Sequence, residues 1–125
     1  MPRSFLRPIL LLLLAESPAH GYGLLEQVTT FGLERTDPGG LYRTLRAMEQ
    51  EGLVDSKWEE SEAGPARRRY RLTDEGLEWL HASAGSLREV VRHLMGYLDR
   101  YDAFTGGGAG ARTADTDGAI GRRRG

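Results

Sequence analysis

From Ile9 to Ala15 every position is apolar, leaving no polar face for a surface helix to turn to water. Such a run predicts a helix covered on more than one side. Ser4 is its expected N-cap, and the helix is expected to pass through Phe5, Leu6 and Ile9 to Leu14. Glu16 to Gly23, reading ESPAHGYG, breaks the pattern with Pro18, Gly21 and Gly23. A second helix is expected to about Thr30, with Leu24, Leu25 and Val28 facing inward, and Phe31 to Thr36 form the turn after it. The third helix is better delimited. Asp37 is a good N-cap, Pro38 suits the first helical position, and Gly52 stands where a helix-ending glycine belongs. Leu41, Leu45 and Met48 recur at i, i+4 and i+7 as a buried stripe, which leaves Tyr42, Arg43 and Arg46 on the opposite side.

After Gly52 the pattern shortens to strict alternation. Val54, Ser56 and Trp58 alternate with Leu53, Asp55 and Lys57, which predicts a strand. Arg68, Tyr70 and Leu72 alternate with Arg67, Arg69 and Arg71, which predicts a second strand. Glu60 to Ala66, containing Gly64-Pro65, is the expected loop between them, so the pair forms a hairpin with arginines flanking its tip.

Thr73 is the expected cap of the last helix, with Asp74 and Glu75 in the first turn where the helix dipole favours acid. Along it Leu77, Leu80, Ala84, Leu87, Val91, Leu94, Leu98 and Tyr101 are spaced alternately three and four residues apart. That is an a/d seam sustained over nearly four heptads, the pattern of a coiled coil. From Asp74 to Asp102 the helix would be about 43 Å long at 1.5 Å per residue. A small body cannot cover that length, so a second copy of the chain is the expected partner. Gly85 and Gly96 are expected points of bending.

Composition narrows the class. The chain has 125 residues and 39% hydrophobic content, enough for one small core. It has no cysteine, which excludes disulfides, thiolate catalysis and cysteine-based zinc sites. Arg3 and Arg7 ahead of the apolar run, with Ser17-Pro18-Ala19 after it, imitate a secretory signal. Glu16 falls in what would be the cleavage zone, and the run is too short to span a bilayer, so a buried first helix and a cytoplasmic location are expected. The net charge of -1 argues mildly against a nucleic-acid partner. The charges segregate, however: Arg67, Arg68, Arg69 and Arg71 cluster, with Glu59, Glu60 and Glu62 just upstream on what is expected to be an exposed turn. All the basic residues but Lys57 are arginines, which suits bidentate phosphate contacts and equally suits a genome rich in arginine codons.

No constellation for catalysis emerges. His20, His81 and His93 are too scattered for a metal site, and His20 is expected to make a local hydrogen bond at a helix start. Gly39-Gly40 is a helix entry rather than a phosphate loop, and no serine and histidine share the context a nucleophilic triad needs. No cofactor, metal or enzymatic activity is expected. The order helix, helix, turn, helix, hairpin is instead that of a winged helix-turn-helix, in which the second helix of the motif enters the DNA major groove. The expected fold is therefore α+β, mainly helical with a small hairpin. Residues 1–73 would form the DNA-binding winged helix-turn-helix, 74–104 the dimerisation helix, and 105–125 a disordered glycine-rich tail ending in Arg122-Arg123-Arg124.

The motifs that carry this reading also carry a resemblance. His20-Gly21-Tyr22, Gly40-Leu41-Tyr42 with Leu45, and Glu51-Gly52-Leu53-Val54 resemble the PadR family of bacterial transcriptional regulators. So do Trp58-Glu59, Gly64-Pro65, Arg67-Arg68-Arg69-Tyr70 and Leu72-Thr73-Asp74-Glu75-Gly76, and the likeness spans roughly residues 5 to 101. The resemblance implies a homodimer bound to an inverted-repeat operator, usually as a repressor, with release by a small molecule in some members. It makes Tyr42, Arg43 and Arg46 the groove-facing set, entered through Gly40, and Tyr22 with Arg67, Arg68 and Arg69 the phosphate-binding set. It makes the leucine seam of the last helix the dimer interface. Two departures stand out. Arg43 occupies a place where many members have proline, and it adds a side chain able to reach a guanine edge. Some drug-binding members carry a tryptophan midway along the last helix, near Leu87 here, whereas this helix has only Trp79. An alternative of another class remains open: a winged-helix dimer acting as a protein-interaction adaptor without specific DNA binding, its contact surface the wing or the tail, favoured by the acidic pI and by Glu59, Glu60 and Glu62 near the wing.

Overall fold

Among the described residues, the leucine-rich first segment supplies six of the fourteen buried apolar side chains: Leu6, Ile9, Leu10, Leu11, Leu13 and Leu14. A computed structural model of the chain describes residues 4–106. Its elements are α1 (Leu6–Glu16), β1 (Ala19–His20), α2 (Gly21–Phe31), α3 (Pro38–Gln50), β2 (Val54–Ser61), β3 (Gly64–Leu72) and α4 (Asp74–Thr105). The sheet is antiparallel in the order β1-β3-β2. It is thus an α+β fold, a helix-turn-helix with a hairpin wing followed by one long helix.

Helix α1 begins one residue later than its hydroxyl signal implies. Phe5 holds the N-cap position and has no side chain to cap with. Ser4 Oγ accepts from the Leu6 amide at 3.1 Å, and the Glu34 carboxylate accepts from the Phe5 amide at 2.9 Å. A residue of the α2–α3 connection therefore completes the first turn of α1, which no local pattern reveals. At the other face of the core α3 behaves as its sequence dictates. The Asp37 side chain accepts from Gly40 N at 2.7 Å, and Leu41, Leu45 and Met48 are fully buried.

Two boundaries differ from expectation. The segment Glu16 to Gly23 is not only a break, because Ala19 and His20 pair with Tyr70 and Arg69 and add a third strand. A two-residue strand is too short for any periodicity to show. The hairpin loop is also shorter than Glu60 to Ala66: only Glu62 and Ala63 separate the strands. The pairing shifts by one residue between Glu59 and Ser61, a bulge near the tip.

Thr73 closes the hairpin onto the last helix. Its hydroxyl accepts from the Gly76 amide at 3.0 Å and reaches the carbonyl oxygens of Gly52 and Leu53 at 2.7 and 3.0 Å. Gly76 is buried with its Cα against the Leu53 carbonyl and the Leu72 side chain, so a Cβ there would overlap both. The end of α3, the start of β2 and the start of α4 meet at these two residues.

The described residues fall into two units, one reaching Gly85 and one beginning at Ser86. In the first, Leu80 packs partly against the core and Leu77 is exposed. In the second, Val91, Leu94, Leu98 and Tyr101 lie about half exposed, joined by Met95, Tyr97 and Phe104. Helix α4 is continuous through Gly85 and Gly96. The glycine-rich tail with Arg122 to Arg124 lies outside the described residues, apart from Thr105, which ends α4, and Gly106. Among the described residues no helix is long and apolar enough to cross a membrane.

Candidate nucleic-acid interface

Burial of Leu41, Leu45 and Met48 fixes the roll of α3, and the roll decides which side chains face outward. Tyr42, Arg43 and Arg46 are exposed, and neither arginine has a carboxylate within ion-pair distance among the described residues. Arg43 folds back over the first turn, where a Cβ on Gly39 would stand 3.2 Å from its Nη1. Gly40 has a structural reason of its own: a Cβ there would come within 2.9 Å of the capping Asp37 Oδ1.

The tyrosines of the two motifs differ in their settings. Tyr22 is 65% exposed in the first turn of α2. Tyr42 lies with its ring edge on the backbone of Gly21, so close that any Cβ at position 21 would overlap Cε1. Gly21 is therefore the seat that lets α2 begin directly beneath Tyr42. Its glycine was legible as a break and not as a seat, because the contact joins residues far apart in sequence.

The hairpin arginines do not form one patch. Pleating sends alternate residues to opposite faces. Arg67, Arg69 and Arg71 share a face with Asp55, Lys57 and Glu59, whereas Arg68 shares the other with Ser56, Trp58 and Tyr70. On the first face charge is largely matched. Arg71 Nε donates to Asp55 Oδ1 at 2.6 Å, and Arg69 Nη1 donates to Glu59 Oε2 at 3.2 Å. The other Glu59 oxygen meets His20 Nε2 at 2.9 Å. These contacts, the histidine first and the arginine after it, hold the Glu59 carboxyl below the usual range. Glu59 is thus a strand residue with two partners rather than part of a solvated turn, and His20 bonds across the sheet rather than locally.

On the second face the Ser56 hydroxyl donates to the Glu49 carboxylate of α3, at 2.9 Å to the nearer oxygen. Tyr70 is buried beside it, and burial pushes its phenol upward while the neighbouring Arg68 pulls the other way. Further out, the Arg68 guanidinium carbon lies 4.9 Å from the centroid of the Trp58 ring. Sequence could not select this pair. The register at the turn, Ser61 opposite Gly64, would set Arg67 against Trp58, and the bulge moves Arg68 there instead. Among the described residues no group of three or more His, Cys, Asp or Glu side chains could hold a metal ion. Along α4 the residues of the leucine seam are exposed or half-buried in the single chain.

The family model for the transcriptional regulator PadR-like family matches residues 9–82. A curated relative, transcriptional regulator Rv3488 of Mycobacterium tuberculosis, is 35% identical over 82 residues, which are 66% of this chain and 75% of that protein. The crystal structure of a PadR family transcription regulator from Clostridium difficile R20291 superposes with a TM-score of 0.68 at 25% identity, covering 75% of this chain and 98% of that one. Bacillus subtilis PadR, solved in complex with operator DNA, shares the fold with a TM-score of 0.61 at 21% identity, over 67% of this chain and 48% of that one. By sequence and by fold, the chain belongs to the PadR-like family of transcriptional regulators.

Proposed function

We propose that this chain is a sequence-specific repressor that binds an inverted-repeat operator as a homodimer, with α3 in the major groove and α4 as the dimer contact. The observation that carries the reading is the pair of exposed arginines Arg43 and Arg46, free of carboxylate partners among the described residues, on a helix whose opposite face is fully buried. Tyr42 lies on the same helix against Gly21, next to which Tyr22 is exposed in the first turn of α2, and Gly40 with Asp37 closes the first turn of α3. The complex of Bacillus subtilis PadR with operator DNA supports the same use of this fold. The half-exposed apolar stripe of α4 supports a second copy as its cover. Two recognition helices in successive major grooves would read half-sites about 34–36 Å apart. Working on DNA, the protein would act in the cytoplasm.

The test is fluorescence anisotropy with a duplex from upstream of the protein's own gene, at two salt concentrations, against a scrambled competitor. Tight binding that resists the competitor is expected. An adaptor without DNA specificity is favoured by one finding, the neutralisation of Arg69 and Arg71 by Glu59 and Asp55. It would show no salt-dependent retention on heparin or on duplex DNA.

A further inference from the structure

Trp58 is 62% exposed in the middle of a strand, where a ring of that size gains little from burial. Its neighbour across the hairpin is Arg68, whose guanidinium carbon lies over the ring, 4.9 Å from its centroid. Both lie on the face that, further down the hairpin, carries buried Tyr70 and meets α3 through the bond from Ser56 to Glu49. The other cations of β3 are placed differently. Arg69 and Arg71 are paired with carboxylates, and Arg67 belongs to the opposite face. Arg68 has no carboxylate within ion-pair distance among the described residues. A guanidinium held over an indole face keeps its charge and its hydrogen-bond donors while losing rotamer freedom in advance, so less is lost when those donors meet a phosphate.

We infer that Trp58 is a positioning residue for DNA binding: its ring holds Arg68 extended on the α3 side of the hairpin as the wing's phosphate contact, while Arg69 serves the sheet. The inference rests on the DNA-binding reading above. The bulge between Glu59 and Ser61 is the device that makes it work, because it sets Arg68 rather than Arg67 against the ring. The ligand is the phosphodiester backbone of duplex DNA, and the indole need not touch it.

The experiment measures affinity for the upstream duplex over a salt series. Its variants are Trp58→Ala, Trp58→Leu, Trp58→Phe, Arg68→Ala, Arg69→Ala and the double variant Trp58→Ala with Arg68→Ala. Loss of one phosphate contact in Arg68→Ala should reduce the slope of log affinity against log salt by about 1. Removing the aromatic face should weaken binding about two- to fivefold, as an exposed cation–π contact allows. Trp58→Leu keeps the apolar bulk and should behave like Trp58→Ala, whereas Trp58→Phe should keep most of the affinity. Arg69→Ala should leave the salt slope unchanged. In the absence of Arg68, removing Trp58 should cost nothing more. Additive losses in the double variant, or wild-type affinity in both Trp58→Ala and Trp58→Leu, would overturn the inference while leaving the DNA-binding reading intact. A wild-type protein that binds no duplex at either end of the salt series would remove that reading, and the inference with it.

Discussion

Arg46 is exposed on α3 and has no carboxylate within ion-pair distance among the described residues, so its removal should leave the fold alone and show only in binding. A guanidinium on a base edge is worth about 1–3 kcal/mol of discrimination. Arg46→Ala should therefore weaken operator binding by a comparable amount in an anisotropy titration, with the dimer unaffected in sedimentation. Unchanged affinity would strike it from the interface. Gly21 is the opposite case, a residue with no reactive group whose smallness places Tyr42. Gly21→Ala should lower stability by about 1–3 kcal/mol, the usual cost of overpacking, as read from urea denaturation. Adding Tyr42→Ala should give part of that back, since the clash is with that ring. Single residues were legible where chemistry is local. Asp37, Pro38 and Gly52 announce a helix start and end by their own backbone preferences. Gly21, Glu34 and Glu59 were not legible in their roles, because each acts on a residue at least 21 positions away.

Among the elements, α3 depends on its cap and on the ion pair at its far end. Asp37→Ala should cost about 1 kcal/mol and fray the turn that carries Gly39 and Gly40. Circular dichroism in urea would report the loss, and a stability equal to wild type would deny the cap its role. At the other end Glu51 bonds Arg7 of α1 through both oxygens, at 2.7 and 2.8 Å, and this contact holds the Glu51 carboxyl below the usual range. Glu59 is lowered in the same sense by His20 and Arg69. A carboxylate whose pKa is lower folded than unfolded stabilises the fold above its unfolded value, and loses that contribution as pH falls through the folded one. Stability should accordingly decline below the ordinary glutamate range. Glu51→Gln and Glu59→Gln together should flatten that acid limb; a limb of unchanged slope would mean neither pair is felt. Helices were legible at this scale because their apolar spacing is long and regular. The hairpin was legible in alternation but not in register, since a one-residue bulge leaves no mark on the pattern while changing every cross-strand neighbour.

At the scale of the whole molecule the unresolved demand is apolar surface. Leu94, Leu98 and Tyr101 repeat at seam spacing and each is about half exposed in one chain. At about 25 cal/mol per Å² such a stripe favours being covered, in the proposed dimer by a second copy. Leu94→Glu with Leu98→Glu should shift the protein to monomer in sedimentation velocity while leaving the winged helix folded; a persistent dimer would place the contact elsewhere. The heptad spacing is plain in the sequence, because an apolar repeat points toward a partner without specifying any fold around it, and the sedimentation experiment decides whether that seam is the contact.

The joint at Thr73 and Gly76 bears on how such regulators can be recombined. Boundaries drawn on secondary structure invite a graft at the first residue of α4, exchanging one sensory or oligomeric helix for another. Here that cut would separate the Thr73 hydroxyl from the Gly76 amide it caps, and would bring a foreign side chain against the Leu53 carbonyl unless the donor also had glycine. The first turn of α4 belongs, physically, to the head it leaves. A functional exchange point lies beyond Gly76, inside the helix rather than at its start.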